Sequence, residues 1–583
     1  MVARTTARII AVVADQLPSN AEVASQLELL ADILELLGED PFRVLAYRRA
    51  AARIRETGAS VAQLALEGKA KELQGIGKTL EGKILEIVRE GEVGALTKYK
   101  ALVPPGVVEL MRLPGLGPKT ARRIWQELGV TTLEELREAA QAKRLRSLSG
   151  LGPKTEENVL KALAARAEAK ARPSRMLLGV ALPAVLEVVE ALRAHPASVK
   201  VSEAGSVRRR KETVRDLDLI ATASDARSLI DHFVSLPWVA EVVARGGTKA
   251  AVVSGQGLRF DLRVVPPDCF GNLLQHFTGS KQHNMALREE AVRQGLSVSE
   301  YGVTVLETGE VVKHADEEDL YAFLGYQYIP PELRENAGEL EAAREGALPR
   351  LLDQGDLRGD LHAHTTWSAD GRSTLEEMAL AALARGYAYL AVTDHAHHLR
   401  QGRLEAQDAE IEALNRRLAP FRLLRGVEVN IRADGSLDLP DEVLAQREWV
   451  VASIHTSFGR DPTARVLAAM DNPHVDCVGH PTGRKIGRRE GYPLDLERVL
   501  DRAVETGTAL EINSQPDRLD LPDRLARLAG EAGVALVVAS DAHRASNLSF
   551  IELGVAQARR AWLTREQVLN TRPWADIERS KGR

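Results

Sequence analysis

Short apolar runs alternate with helical patterns through the C-terminal part of the chain, and nearly every run ends at a residue that can bind a metal ion. Seven such runs predict strands, and strands that alternate with helices form a parallel β/α fold. Because the C-terminal ends of parallel strands meet on one face, we expect a β/α barrel with one cluster of ligands there. The candidate ligands are His362, His364, Asp370, His395, Glu428, His455, His480, Asp541 and His543.

This cluster predicts a hydrolytic metal centre. A single histidine is more often a core or surface group than a ligand, but histidines at five strand ends are improbable as coincidence. The imidazole and carboxylate groups exceed what one ion coordinates, so we expect two or three ions, Mn²⁺ or Zn²⁺. Such ions generate hydroxide near neutral pH and bind phosphate oxygens.

The middle of the chain carries three carboxylates in two apolar strands. Asp216 and Asp218 are two residues apart and project from one face of a strand, and Asp261 lies within a second apolar run. Converging carboxylates repel one another unless divalent cations lie between them. Two Mg²⁺ or Mn²⁺ ions at this position can activate a 3′-hydroxyl and stabilise a leaving pyrophosphate.

A Gly-Ser pair ahead of these carboxylates strengthens the interpretation, because an isolated Asp-x-Asp is usually a solvated strand end. Gly205 and Ser206, with Arg209 nearby, are expected to hold a triphosphate. Arg215 directly precedes Asp216, where a small residue is common. Strand alternation predicts that it faces away from Asp216 and does not block a metal ion.

The N-terminal third contains three copies of a Gly-x-Gly motif between helical patterns. Glycine permits a tight turn and the close approach of a phosphate, and the following helix offers free N–H groups and a positive dipole end. One copy is equally well explained as a plain turn, but three copies with nearby lysines indicate contacts with the DNA backbone. The expected DNA-binding residues are Gly75, Gly77, Gly115, Gly117, Lys119, Gly150, Gly152 and Lys154.

Length, charge and composition limit the number of domains and the cellular location that the chain can have. A chain of 583 residues is too long for one core, so several domains are expected. The net charge of −5 does not by itself indicate a nucleic-acid partner. No run predicts a membrane span, the first residues lack a signal-peptide pattern, and two distant cysteines suit a reducing cytoplasm. We expect a cytoplasmic protein.

The first 335 residues or so resemble family X DNA polymerases, whose core is that of polymerase beta. The glycine motifs resemble helix-hairpin-helix motifs, and the Gly-Ser pair with its three carboxylates resembles a nucleotidyltransferase palm. This resemblance implies that Phe277 and Gly279 approach the incoming sugar, Asn284 the base edge and Arg288 the template strand. His276 stands where polymerase beta carries a tyrosine, which leaves ribonucleotide discrimination open.

Lys83 stands eight residues after Gly75, on the helix that follows the first hairpin. Together with residues 42–50 and the hairpin glycines, it resembles the lyase domain of polymerase beta. The resemblance implies a Schiff base between the Lys83 amine and an abasic sugar. The alternative is a surface lysine near a phosphate.

The C-terminal ligand pattern resembles the polymerase and histidinol phosphatase (PHP) domain. We therefore expect a multidomain chain with an all-α helix-hairpin-helix N-terminal region, an α+β palm with a thumb, and a seven-stranded β/α barrel similar to a distorted TIM barrel. The expected boundaries are a lyase-like domain at 1–90, helix-hairpin-helix fingers at 91–171, the palm at 172–268, the thumb at 269–335, a polar linker at 336–357 and the PHP domain at 358–575.

The expected function is a bacterial DNA-directed DNA polymerase that fills short gaps in DNA repair, including base excision repair. Its expected partners are gapped or nicked DNA and dNTPs, and it is expected to act as a monomer. The PHP domain is expected to process 3′ ends as a 3′–5′ exonuclease or 3′-phosphatase, with abasic-site cleavage as a further option. One alternative has an inactive palm and a catalytic barrel; another is a DNA-end scaffold with two vestigial sites. The intact carboxylates and ligand set argue against both.

Overall fold

The structure is a computed structural model that describes residues 18, 20–56, 61–73, 75–100, 102–111, 113, 116–148, 150–171, 175–255, 257–400 and 402–581. The chain divides into two compact units, residues 1–174 and 175–583. None of the helices in the described ranges combines the length and the hydrophobicity that a bilayer crossing requires.

The described part of the first unit is helical, as expected. Its apolar side chains form one shared core, in which the first helix contacts several of the others. The helices are α1 (Asn20–Leu37), α2 (Pro41–Glu56), α3 (Val61–Leu66), α4 (Lys78–Glu90), α5 (Gly94–Lys100), α6 (Pro105–Leu110), α7 (Pro118–Leu128), α8 (Leu133–Gln141) and α9 (Pro153–Ala171), with short 3₁₀ turns at Ala70–Glu72 and Leu145–Ser147.

The second unit begins with a mixed sheet in the order β2-β4-β7-β6-β5, in which only β4 and β7 pair in parallel. Helices α10 and α12 contribute to the core on one face of this palm sheet, and α13 packs on the other. The elements are β1 (Met176–Leu177), α10 (Leu178–Arg193), β2 (Ser198–Glu203), α11 (Gly205–Arg208), β3 (Thr213–Val214), β4 (Leu217–Ala223), α12 (Ala226–Val234), β5 (Val239–Arg245), β6 (Lys249–Ser254), β7 (Arg259–Val265) and α13 (Phe270–Thr278).

The thumb follows as a small antiparallel sheet in the order β10-β9-β8, packed with helices around its own core. Its elements are α14 (Lys281–Arg293), β8 (Leu296–Ser299), β9 (Gly302–Val305), β10 (Val311–Val312) and α15 (Glu317–Phe323).

The expectation of a polar linker at 336–357 is wrong. This stretch contains α16 (Glu339–Arg344), and Leu340 and Ala343 are buried in the thumb core. The buried carboxylate of Glu339 contacts His283 Nδ1 at 2.7 Å. The stretch has a polar composition because charged residues dominate it, yet one of those charges is paired inside the fold, and Leu340 and Ala343 lie on one face of α16.

The last part is a parallel seven-stranded barrel with the strands in chain order. The end of the first strand forms a parallel bridge, Ala363 with Ala542, to the residues just beyond the last strand, which confirms the predicted β/α barrel. The strands are β11 (Gly359–Ala363), β12 (Tyr389–Val392), β13 (Arg422–Asn430), β14 (Trp449–Ser453), β15 (Cys477–Val478), β16 (Ala509–Asn513) and β17 (Leu536–Ala539). The helices are α17 (Leu375–Ala384), α18 (Arg403–Leu418), α19 (Asp441–Leu444), α20 (Pro462–Met470), α21 (Leu496–Thr506), α22 (Asp523–Glu531), α23 (Ile551–Arg560) and α24 (Trp574–Ser580).

An apolar layer fills the lower part of the barrel. Tyr389 and Trp449 from the strands pack there with Trp574 and Ile577 of α24. The predicted ligands lie towards the opposite end, where the strands finish.

Candidate functional site

The palm carboxylates converge on neighbouring strands. Asp218 of β4 and Asp261 of β7 are direct partners in the parallel register, and Asp216 lies one residue before β4. Burial, followed by the charges of Asp261 and Asp216, raises the pKa of Asp218 to about 6. The three groups thus form one electrostatically strained cluster, the kind of site that a divalent cation relieves.

Two arginines contact the outer carboxylates. Arg215 Nε lies 3.0 Å from Asp216 Oδ2, so the prediction that Arg215 faces away is wrong. Alternation fails because both residues precede β4, where the chain bends. Arg259 Nε lies 2.9 Å from Asp261 Oδ2, and a second nitrogen of Arg259 lies 3.2 Å from Oδ1. Both arginine side chains are about half exposed and can move away from the carboxylates.

Gly205 has to be glycine. Its φ is +62°, and a Cβ there would lie 2.6 Å from Asp218 Oδ2. The missing side chain brings the start of α11, with Ser206, next to the carboxylates. The Gly-Ser pair therefore lies beside the carboxylates, and its contact with a triphosphate stays a prediction.

Arg209, Phe277 and Gly279 also lie together. The guanidinium of Arg209 donates to the Thr278 carbonyl, contacts Glu335 Oε1 at 3.1 Å, and lies 3.0 Å from where a Gly279 Cβ would be. The guanidinium of Arg263 stacks 4.4 Å from the centroid of the Phe277 ring. The end of α13 is thereby tied to the turn that follows α11.

Asn284 and Arg288 are engaged with α13. Asn284 accepts from Gln275 at 2.8 Å and donates to the His276 carbonyl at 2.7 Å. Arg288 lies 2.8 Å from His276 Nδ1, and burial lowers the pKa of His276, which suits an acceptor nitrogen. Their contacts with a base and a template stay predictions.

The three glycine motifs share one backbone hydrogen bond, and the first glycines that the structure describes share one conformation. Gly75 and Gly150 have φ values of +90° and +82°, which favour glycine. Gly115, the corresponding residue of the second copy, lies outside the described residues. One backbone hydrogen bond of 3.0 Å closes each turn, from Ile76 to Leu73, from Leu116 to Leu113 and from Leu151 to Leu148.

The second glycine of each motif is not required by the fold. Gly77 and Gly117 precede α4 and α7 with φ values of −86° and −75°, which any residue adopts. No heavy atom lies within 4 Å of a Cβ built at Gly77, Gly117 or Gly152. The open space instead leaves room for a ligand, and Lys119 and Lys154 are exposed in the helical turns that follow. Lys83 is half-buried on α4.

The barrel brings every predicted ligand to the strand ends. Glu428 lies at the centre, with its carboxylate oxygens 2.8–3.6 Å from imidazole nitrogens of five histidines. Those histidines are His362, His364, His395, His455 and His480. Asp370 lies 3.1 Å from His395 and 3.3 Å from His543, and Asp541 lies 3.2 Å from His364.

These side chains form three overlapping groups whose ligand atoms lie within 4.8 Å of one another. The groups are His364 with Asp370, His395 and His543; His362 with His364 and Asp541; and His395 with Glu428 and His455.

The electrostatics of the cluster fit bound cations. Burial opposes ionisation, yet the surrounding imidazoles hold the pKa of Glu428 well below its usual range. Burial lowers the pKa of His364 and of His480 to about 3, which favours the neutral, metal-binding imidazole. Among the described residues, the buried Asp370 Oδ1, Glu428 Oε1 and His480 Nδ1 have no hydrogen-bond partner. Mixed nitrogen and oxygen donors of this kind suit Zn²⁺ or Mn²⁺.

The sequence did not reveal the residues that orient the ligands. Glu511 Oε1 lies 2.7 Å from His362 Nδ1, and its other oxygen accepts from the His480 amide at 2.5 Å. Asn430 Oδ1 lies 2.6 Å from His455 Nδ1. Ala509 of β16 belongs to the barrel interior, and strand alternation points Glu511 inward as well. This alternation along the strand is the sequence signal that indicates Glu511.

Asp394 has a different role from its neighbour His395. It is buried and accepts from the Thr365 amide and hydroxyl at 2.7 Å, and from the Ser368 amide at 3.1 Å. It therefore holds the loop that carries Asp370 and does not itself join the ligand groups.

Comparison with known proteins assigns four segments to families. Residues 18–93 match a helix-hairpin-helix domain, residues 107–165 a SAM-like helix-hairpin-helix tandem, residues 273–335 the DNA polymerase beta thumb, and residues 360–514 the PHP domain.

One of the curated relatives is similar to this chain over nearly the full length of both proteins. The chain is 40% identical over 568 residues to the DNA polymerase/3′-5′ exonuclease PolX of Bacillus subtilis (strain 168), which covers 96% of this chain and 98% of that protein. A probable phosphatase of Thermoanaerobacter sp. (strain X514) is 33% identical over 226 residues, which cover 36% of this chain and 89% of that protein. A probable phosphatase of Aliivibrio fischeri (strain ATCC 700601 / ES114) is 29% identical over 225 residues, which cover 36% of this chain and 88% of that protein.

Proposed function

The chain belongs to the PolX family of DNA polymerases with a 3′–5′ exonuclease, and we propose that its two chemistries reside in two separate centres. Nucleotide addition is assigned to Asp216, Asp218 and Asp261 of the palm. Hydrolysis of 3′ ends is assigned to the histidine-rich centre of the PHP barrel.

The pairing of Asp218 with Asp261 across parallel strands carries the polymerase assignment. Mg²⁺ or Mn²⁺ held by the three carboxylates would activate the primer hydroxyl and stabilise the leaving pyrophosphate. Arg215 and Arg259 neutralise two of the carboxylates and must release them when cations bind. Gly205 and Ser206 bind the triphosphate of the incoming dNTP.

Several further residues orient the incoming nucleotide. Arg209 lies beside the triphosphate site and fixes the 278–279 backbone, so that Phe277 and Gly279 can face the sugar. When DNA binds, Asn284 and Arg288 replace their hydrogen bonds to α13 with contacts to DNA. Asn284 then contacts the base edge, and Arg288 contacts the template strand.

In the barrel, the nine predicted ligands hold two or three ions, which we take to be Mn²⁺ or Zn²⁺. Such ions would supply hydroxide near neutral pH and neutralise the phosphate charge of the DNA end. His364 and His395 each belong to two of the ligand groups, and Glu428 contacts histidines from several strands. A 3′-phosphatase activity and abasic-site cleavage are further candidate reactions of this centre.

The hairpins of the first unit bind the DNA backbone without reading its sequence. Their glycines bring phosphates close to helix N-termini, beside Lys119 and Lys154. Gapped or nicked DNA is the proposed substrate, in repair that includes base excision repair, by a cytoplasmic monomer. The lyase role of Lys83 stays a prediction.

Asp261→Ala tests the palm assignment. The variant loses a cation ligand but no phosphate contact, so primer extension on a one-nucleotide gap should fall to background while gel-shift affinity for the same DNA is unchanged. Normal extension by the folded variant would refute the assignment.

A further inference from the structure

A buried arginine of the barrel contacts the palm turn that we assign to the triphosphate. We call residues 205–212 the nucleotide turn. Arg560, the last residue of α23, has only 3% of its side chain exposed. It donates to the carbonyl of Arg209 at 2.7 Å and to Glu335 Oε1 at 3.0 Å.

These contacts link Arg560 to Arg209 twice. Glu335 Oε1 also lies 3.1 Å from Arg209 Nε, so the carboxylate bridges two guanidinium groups. Arg560 donates a further bond of 2.8 Å to Asp523 of the barrel. A buried guanidinium is stable only when its N–H groups have hydrogen-bond acceptors. The nucleotide turn supplies one of the acceptors for Arg560.

A second barrel arginine reaches the other end of the same turn. Arg484 lies 2.7 Å from Glu212 Oε2 and donates to the Arg518 carbonyl at 2.8 Å. Between the two arginines the contact is apolar and tight. A Cβ on Gly179 of α10 would lie 2.6 Å from Pro516, and the barrel residues Leu519 and Leu553 are buried in the palm core.

We propose that the PHP barrel holds the nucleotide turn in its dNTP-binding position, and that Arg560 is a positioning residue for nucleotide addition. The inference rests on the proposed role of Gly205 and Ser206. Arg560 fixes the Arg209 carbonyl directly and the Arg209 guanidinium through Glu335. The barrel is then part of the polymerase as well as the site of hydrolysis.

Arg560→Gln removes the charge and shortens the reach of the side chain. A turn displaced by a fraction of an ångström binds triphosphate less well, so we expect the KM for dNTP to rise about tenfold, with kcat changed less than about threefold. Arg560→Lys keeps the charge, but its donors lie on one nitrogen and cannot span Asp523 and the nucleotide turn as the guanidinium does, so its KM should be intermediate. Hydrolysis of 3′ ends should stay at the wild-type rate in both variants.

Arg559→Gln is the matched control. Arg559 is the neighbouring arginine of α23 and contacts Glu332 and the Leu352 carbonyl, but not the nucleotide turn. Equal KM values for folded Arg560→Gln and Arg559→Gln would overturn the inference.

Ser206→Ala separates this inference from the proposed function. If Ser206→Ala raises the KM and Arg560→Gln does not, only the role of Arg560 fails. If neither raises it, the nucleotide turn itself is misassigned. Should a melting curve show that Arg560→Gln does not fold, Asp523→Asn removes the counter-charge of Arg560 more mildly; an unchanged KM in that variant would equally contradict the inference.

Discussion

Glu511 illustrates how single residues set the chemistry of the barrel centre. Its carboxylate accepts hydrogen bonds from Nδ1 of His362 and from the backbone amide of His480. This fixes the tautomer of His362 and leaves Nε2 to face the cluster. Carboxylates behind a histidine ligand also raise its basicity, so Glu511 is expected to strengthen cation binding without touching a cation.

Glu511→Gln should therefore weaken cation binding. The amide keeps the size of the side chain but loses the charge that orients His362, and we expect about 10–100-fold lower metal affinity. Rates of 3′-end hydrolysis measured against Mn²⁺ concentration should show a midpoint shifted upwards by that factor, while primer extension is unaffected. An unshifted midpoint would show that Glu511 does not orient the ligand.

Individual site residues were predictable where a characteristic residue type, such as histidine, stands at the end of an apolar strand. The histidine ligands stand out because imidazoles are rare at the ends of apolar runs. The sequence does not single out Glu511 because its strand carries no histidine, and strand alternation mispredicts the side chain of Arg215 because that residue lies outside the strand. The roles of Arg560 and Glu335 could not be predicted, since their partners are far away in the sequence.

At the scale of elements, the hairpins place glycine at positions where the fold does not require it. Gly117 caps α7 in an extended conformation with no neighbour within 4 Å of a Cβ. Gly129, at the C-terminal end of the same helix, has a φ of +71° that glycine adopts far more readily than other residues.

Gly117→Val should cost at most about 1 kcal/mol of stability, because valine is a poorer helix N-cap than glycine, and should weaken DNA binding several-fold, because the new side chain occupies the space proposed for a phosphate. Gly129→Val should lower the Tm more, because a β-branched residue is strained at positive φ, and should leave DNA binding unchanged. Fluorescence anisotropy with gapped DNA and a melting curve compare the two variants. Equal DNA affinity in Gly117→Val and wild type would contradict the proposed phosphate contact.

Whole elements were easier to predict than the joins between them. The seven barrel strands are apolar runs bounded by helical patterns, and all of them form. The polar composition of segment 336–357 favours a linker, although Glu339 pairs with His283 inside the fold. Such long-range pairing leaves no local pattern in the sequence.

At the scale of the molecule, the palm, the thumb and the barrel form one compact unit, yet the two centres share no ligand. The palm keeps Asp216, Asp218 and Asp261 whatever happens to the barrel histidines. We therefore distinguish two kinds of dependence: the polymerase needs the folded barrel through Arg560, but not the cations of the barrel.

The double variant His362→Ala with His364→Ala tests this central claim most directly. Two lost imidazoles should empty at least one cation position, so hydrolysis of 3′ ends should disappear while primer extension on gapped DNA continues at the wild-type rate. A melting curve checks that the barrel stays folded, because cation binding and folding are coupled. A folded variant that still degrades 3′ ends at the wild-type rate would show that the exonuclease does not reside in the barrel.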